Sequence, residues 1–301
     1  MFPSVCRALI VVGGLLLAGV SAAEVPAVGT LERIRSRGSI LLGYGEGAIP
    51  FSYLDGNSQP IGFSIDLCRQ VTEAVKTALA LPELKVFHLA TTDASRQVML
   101  ESGGIDLHCG NSVNTTQKQR SVAFSVTTYV GTVQALTRKN AAVTSLGDMN
   151  GKTIITRAGS AAETIVKSAA ERRGVTANFR AGRDDGDALR MLLDGHADAV
   201  ALNDVNLRRL LISVSPATRD TLALVQENYG FEPYGLEFRR QDASFKRLID
   251  ETLVGLMKSG EFARLYHQWL ASPIPPVGVN FDLPMSETLK QLLLTPNDRG
   301  I

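Results

Sequence analysis

Gly103-Gly104-Ile105-Asp106-Leu107-His108-Cys109-Gly110-Asn111-Ser112-Val113-Asn114-Thr115-Thr116 opens a stretch that runs on through Gln117-Lys118-Gln119-Arg120 to Val130. The two glycines mark a turn, Ile105 to Cys109 an apolar strand, and Asn111 to Thr116 a polar loop. A brief helix and a second strand, Val122 to Val133, follow. A loop of hydroxyl and amide side chains at the end of a buried strand suits a small polar solute. The same residues also read as an ordinary helix cap with no ligand. The pattern recurs, however: Gly103-x-x-Asp106-x-x-x-x-Asn111 returns as Gly195-x-x-Asp198-x-x-x-x-Asn203. Each copy follows an amphipathic helix (Ala94 to Glu101, Asp187 to Asp194) and leads through an apolar strand into a polar loop. Two strand-end loops of one design predict two similar lobes facing one cleft.

Working outward, strands alternate with amphipathic helices. Ser39 to Tyr44 is a strand, Gly62 opens a long helix that Pro82 stops, and Lys85 to Leu89 is the next strand. A second series begins after Arg138, with strands at Gly151–Thr156, Ala177–Ala181 and Ala197–Leu202. Its helices lie at Ala162–Arg173, Asp187–Leu193 and Val205–Ile212. This is α/β architecture: two lobes, each a mostly parallel sheet flanked by helices. The expected division is 31–134 with 233–272 for lobe 1, 135–232 for lobe 2, and a surface tail over 273–301. Chain crossings near 131–138 and 226–236 would form a hinge that closes the lobes on a ligand.

Composition narrows the class. The 301 residues are 45% hydrophobic and 20% charged, with 31 basic against 30 acidic side chains. This supports real cores and gives no electrostatic case for a nucleic-acid partner. Arg7 followed by the apolar run Ala8–Val20 and Ser21-Ala22-Ala23 reads as a signal peptide over residues 1–23, cleaved after Ala23. The mature chain is expected in the periplasm. Export leaves Cys68 and Cys109, which either pair or remain buried thiols.

Several patterns mislead. Gly147-x-x-x-Gly151-Lys152-Thr153 is one residue short of a phosphate loop, and its lysine leads into a strand. The histidines at 88, 108, 196 and 267 have no metal-ligand spacing, and no nucleophile elbow is present. No metal, cofactor or catalytic residue is expected.

Gly62-Phe63-Ser64-Ile65-Asp66-Leu67, Cys109-Gly110-Asn111, Val122-Ala123-Phe124-Ser125, Gly186-Asp187, Asn203-Asp204 and Pro273-Ile274-Pro275-Pro276 resemble the family 3 periplasmic solute-binding proteins of ABC transporters. Within that family the glutamate/aspartate-binding proteins are most similar, and the resemblance runs from Leu31 to Asp298. It implies capture of an amino acid by lobe closure and delivery to a membrane permease; a monomer is the default expectation for a hinge protein. It also implies site roles. Arg96 would grip the α-carboxylate, whose two oxygens match a planar guanidinium. Asp204 would take the α-ammonium, and Asn111, Ser112 and Ser160 would add neutral hydrogen bonds. Phe51 would cover the aliphatic part of the ligand.

Two departures weigh against tight glutamate or aspartate binding. The acidic-amino-acid members carry an arginine where this chain has Gly45, and a histidine where it has Asp185. Losing a buried charge-assisted bond costs about 2–5 kcal/mol, and a new carboxylate adds repulsion. A neutral polar or cationic side chain then suits Asp185 better, unless Glu46, Arg157 or Arg183 turns inward. Two rivals stand beside transport: a dehydratase on the same fold, with Glu46 and Asp185 as acid and base, and a sensor partner that presents ligand to a receptor.

Overall fold

The computed structural model describes residues 28–276 and 278–301. The expected signal peptide therefore lies outside the described residues. Helix α1 (Thr30–Arg37) leads into β1 (Ser39–Tyr44), and a small antiparallel sheet of β2 (Gly47–Ala48), β3 (Ser52–Leu54) and β4 (Pro60–Ile61) follows. Helix α2 (Phe63–Leu79) presents Ile65, Cys68, Val71, Thr72, Val75 and Leu79 to the interior, a helical spacing of buried side chains. It ends on Ala80 in the left-handed region, two residues before Pro82. Next come β5 (Lys85–Ala90), α3 (Arg96–Ser102), β6 (Leu107–His108) and β7 (Val122–Phe124).

The second series is β8 (Tyr129–Arg138), β9 (Thr153–Arg157), α4 (Ala161–Arg172), β10 (Asn178–Gly182), α5 (Asp185–Leu193), β11 (Ala199–Asn203), α6 (Asp204–Ser213), the short α7 (Pro216–Arg219) and β12 (Leu222–Tyr234). The chain then returns through β13 (Glu237–Arg239), α8 (Ala243–Ser259), α9 (Glu261–Leu270) and α10 (Glu287–Leu294).

Two five-stranded sheets result, ordered β5-β1-β6-β13-β7 and β10-β9-β11-β8-β12. In each, three strands run parallel and the later pairings are antiparallel. This is the two-lobed α/β architecture expected from the sequence. Strand membership corrects its details. The expected strand Val122–Val133 is two strands in different sheets, so residues 129–134, assigned to lobe 1 from the sequence, pair in the second sheet. The chain passes between sheets at 125–128, ahead of the expected crossing near 131–138, and at 235–236, within the expected 226–236. The tail contributes Ile274, Phe281, Leu283 and Leu289 to the core of the first sheet's layer. Among the described residues no helix is long and apolar enough to cross a membrane.

The repeated motif has one structural meaning in both places. Gly103 and Gly195 both adopt φ +79°, ending the helix before them. Asp106 N donates to Leu41 O at 2.8 Å, and its carboxylate accepts from Leu41 N at 2.9 Å. Asp198 makes the same pair with Thr153, at 2.9 and 2.8 Å. Each aspartate thus locks the incoming strand to its parallel neighbour, β6 to β1 and β11 to β9.

Candidate functional site

Strand ends and helix starts from both sheets converge on a cleft of about 1110 Å³. From the first lobe it is lined by Gly45 and Glu46 after β1, Asp93 and Arg96 at the start of α3, and His108, Asn111 and Lys118 around β6. From the second it is lined by Arg157 at the end of β9, Gly159 and Ser160 before α4, Asp185 at the start of α5, and Arg209 on α6. Four helix N-termini (α3 to α6) thus open near one space, where their positive ends favour an anion.

Arg96 is anchored rather than free. Its Nε lies 3.2 Å from Glu237 Oε2, a side chain 2% exposed, and Nη1 donates to Asp93 Oδ1 at 3.0 Å. His108 forms the floor, with Nε2 3.1 Å from Thr91 Oγ1 and Nδ1 3.2 Å from Ser112 Oγ. Burial, with Arg96's charge added, pushes its pKa down to about 3, so the ring is neutral. Glu237 Oε2 stands 3.5 Å from Nδ1. Lys118 donates to Val113 O at 3.0 Å, and burial followed by Arg96 lowers its pKa as well.

Across the cleft, Asp185 Oδ2 accepts from Arg209 Nη2 at 2.5 Å, and Oδ1 stands 3.9 Å from Arg157 Nε. Arg157 Nη1 also reaches to 3.7 Å from Asp93 Oδ2, an ion pair between the lobes. Arg183 points away and pairs with Asp187 on the exposed side of α5. Arg157 turns inward, and Asp185 faces two guanidinium groups, so its carboxylate is not a free repeller of anions.

The structure sorts the remaining residues named from sequence. Asn111 and Ser160 face the cleft; the Ser160 hydroxyl also accepts Glu163 N at 3.2 Å, capping α4. Gly45 lines the cleft too, and a Cβ there would meet only Ala48 Cβ at 3.6 Å. Ser112 is buried behind His108. Asp204 is occupied: Oδ1 accepts from Tyr129 Oη and Val205 N, both at 2.8 Å, and Oδ2 from Thr132 Oγ1 at 2.8 Å and Thr132 N at 3.1 Å. It ties the start of α6 to β8. Phe51 does not line the cleft; it is buried against Phe63, Tyr129 and Tyr234. Its apolar ring is better placed in that aromatic cluster than beside arginines. Arg209 carries no signal of its own in the sequence, because an arginine on an amphipathic helix looks like a solvated charge.

Two supports hold the site. Cys68 of α2 is bonded to Cys109, directly before the polar loop, with Cα atoms 6.1 Å apart and a sequence separation of 41. Closing a loop of that length stabilises the fold by about 4 kcal/mol on the chain-entropy account. The loop is also stitched to the returning chain, by Asn114 N to Pro233 O at 2.7 Å and Gly235 N to Ser112 O at 3.2 Å. Among the described residues no group of three His, Cys, Asp or Glu side chains gathers as a metal site.

The chain is 36% identical over 291 residues to the L-glutamate/L-aspartate-binding protein of Pseudomonas aeruginosa, covering 96% of this chain and 95% of that protein. It is 32% identical to the glutamate/aspartate import solute-binding protein of Salmonella typhimurium, covering 98% and 97%. Among solved structures, an ancestral amino acid-binding protein described as a precursor of cyclohexadienyl dehydratase superposes with TM-score 0.64 at 23% identity, covering 80% of this chain and 99% of that one. The model of the bacterial extracellular solute-binding proteins, family 3, matches residues 40–272, and the chain belongs to that family.

Proposed function

We propose that this protein captures an acidic amino acid in the periplasm, closes its lobes around it and delivers it to the permease of an ABC importer. The observation that carries the ligand class is the charge of the cleft. Its lining holds five cationic side chains (Arg96, Lys118, Arg157, Arg172, Arg209) against three carboxylates (Glu46, Asp93, Asp185). The lining side chains thus carry an excess of positive charge, which complements an amino acid of net charge −1. Arg96 is oriented by two carboxylates and offers its outer edge to an α-carboxylate, and Asn111 and Ser160 add neutral hydrogen bonds. The relatives' acidic ligands support the same class.

The dehydratase alternative needs a proton donor and a base facing the substrate. Of its two candidates Asp185 is tied to Arg209, which leaves Glu46 without a partner. Binding without turnover is the reading the side chains favour. Export by a signal peptide cleaved after Ala23 and a monomeric mature chain complete the proposal.

A thermal-shift series tests it. A ligand at about 100 times its Kd adds roughly 2.7 kcal/mol, a visible rise in Tm. Glutamate and aspartate are expected to raise Tm, and lysine and arginine to leave it unchanged. A rise with cationic amino acids alone would overturn the ligand class.

A further inference from the structure

We propose that the ligand's side-chain carboxylate is received on the second lobe by Arg157, held in place by Asp185 and Arg209, so that an acidic side chain is recognised without a cation at position 45. The inference rests on the reading above, that the cleft takes an acidic amino acid.

The argument starts from how the two sides of the cleft share their charges. On the first lobe Arg96 is matched by Glu237 and Asp93. On the second, Arg157 and Arg209 share the single carboxylate of Asp185. The excess positive charge therefore lies on the second lobe. Arg209 spends its guanidinium on Asp185 Oδ2 at 2.5 Å, whereas Arg157 makes no side-chain hydrogen bond among the described residues.

Asp185 holds rather than quenches. Its side chain is 6% exposed, and Oδ1 is buried with no hydrogen-bond partner, facing Arg157 Nε at 3.9 Å. A buried carboxylate oxygen without a donor costs free energy unless a donor comes to it. Drawing Arg157 about an ångström toward Asp185 would satisfy that oxygen and leave the Nη1 and Nη2 edge of the fork for a second carboxylate. A carboxylate already reaches this edge from across the cleft: Asp93 Oδ2 is 3.7 Å from Nη1. Asp93 is 73% exposed, so its hold on Arg157 is weak and a ligand carboxylate can replace it. Helix α4 starts four residues after Arg157, and its positive end adds to the attraction.

The experiment is calorimetric titration of the mature chain with L-glutamate, L-aspartate and L-glutamine. Glutamine replaces the side-chain carboxylate by an amide of the same shape. Arg157→Gln is expected to weaken glutamate binding at least about 30-fold and to change glutamine binding by less than about threefold. Arg157→Lys, which keeps the charge and loses the fork, should bind glutamate more tightly than Arg157→Gln. Arg183→Gln, on the outer face of the same lobe, is the control and should match wild type.

Glutamate affinity in Arg157→Gln within about threefold of wild type would overturn the subsite, as would equal affinities in the glutamine and lysine variants. A wild-type chain that binds neither glutamate nor aspartate would overturn the proposed function itself. The wild-type titration alone tells that failure from the other. Thermal melting of each variant checks that it is folded.

Discussion

At the floor of the cleft His108 sits between Thr91 and Ser112 and is held without charge, at a pKa of about 3. An unfolded chain would protonate this ring near pH 6.5. Above that pH neither state binds the proton and His108 contributes no slope. Between about 6.5 and 3 the unfolded state binds it and the folded state does not, so stability falls as pH falls, by up to about 1.4 kcal/mol per pH unit. Asp204 and Glu232 work in the opposite sense: burial raises both, and their cost to the fold is relieved as pH drops. The difference between wild type and His108→Gln isolates the ring, because glutamine can still meet Thr91 and Ser112. The variant should gain Tm on wild type between pH 7 and pH 5; parallel pH curves would mean that the folded state protonates His108 as readily as the unfolded chain does.

The helices and strands were largely legible in the sequence, because hydrophobic period and turn residues agree along most of the chain. Gly38, Gly103, Gly195 and Gly260 stop helices by taking the left-handed conformation, and Asp184, Asn203, Asp242 and Ser286 cap others through their side chains. What could not be read lies where chemistry alone is ambiguous. Val122 to Val133 is one β-branched and aromatic run with no glycine or proline before Gly131, so the passage between sheets at 125–128 leaves no local mark. Arg157 and Arg209 carry no pattern that separates an inward from an outward guanidinium, and the aromatic Phe51 suits a core as well as a ligand. The repeated glycines were legible, and they are not equivalent in cost. A Cβ at Gly195 would meet nothing within 4 Å, so Gly195→Ala should cost only the left-handed backbone, about 1 kcal/mol. At Gly103 the new methyl would collide with the Arg33 guanidinium, which stands 3.7 Å from the buried Asp106. Gly103→Ala should cost about 1 kcal/mol more, measured by urea unfolding. Equal losses at the two sites would show that the Arg33–Asp106 contact contributes nothing.

For the whole molecule, the two lobes meet through a pair of strands. β8 and β12 are antiparallel from Leu222 opposite Arg138 to Tyr234 opposite Tyr129, and both continue into the first sheet within four residues. The lobes each carry their own packed interior, and the two strands are built into both: Tyr129, Val130 and Tyr234 pack in the first and Val133, Ala135 and Val225 in the second, with Thr127 N donating to Asn297 O at 2.9 Å just before β8. Closure on a ligand should therefore move two rigid bodies. Small-angle X-ray scattering is expected to show a smaller radius of gyration on saturation with glutamate. An unchanged profile alongside measured binding would mean that the lobes are already shut before the ligand arrives.

The paired strands have a further consequence in mechanical terms. A hydrogen-bonded ribbon flexes readily across its thin direction, while sliding one strand along the other would break every rung at once. Motion between the lobes is thereby reduced to nearly a single coordinate, the angle of the fold line. With the proposed closure, occupancy of the cleft would become a distance between two outer faces, which a partner touching both could gauge without ever meeting the bound molecule.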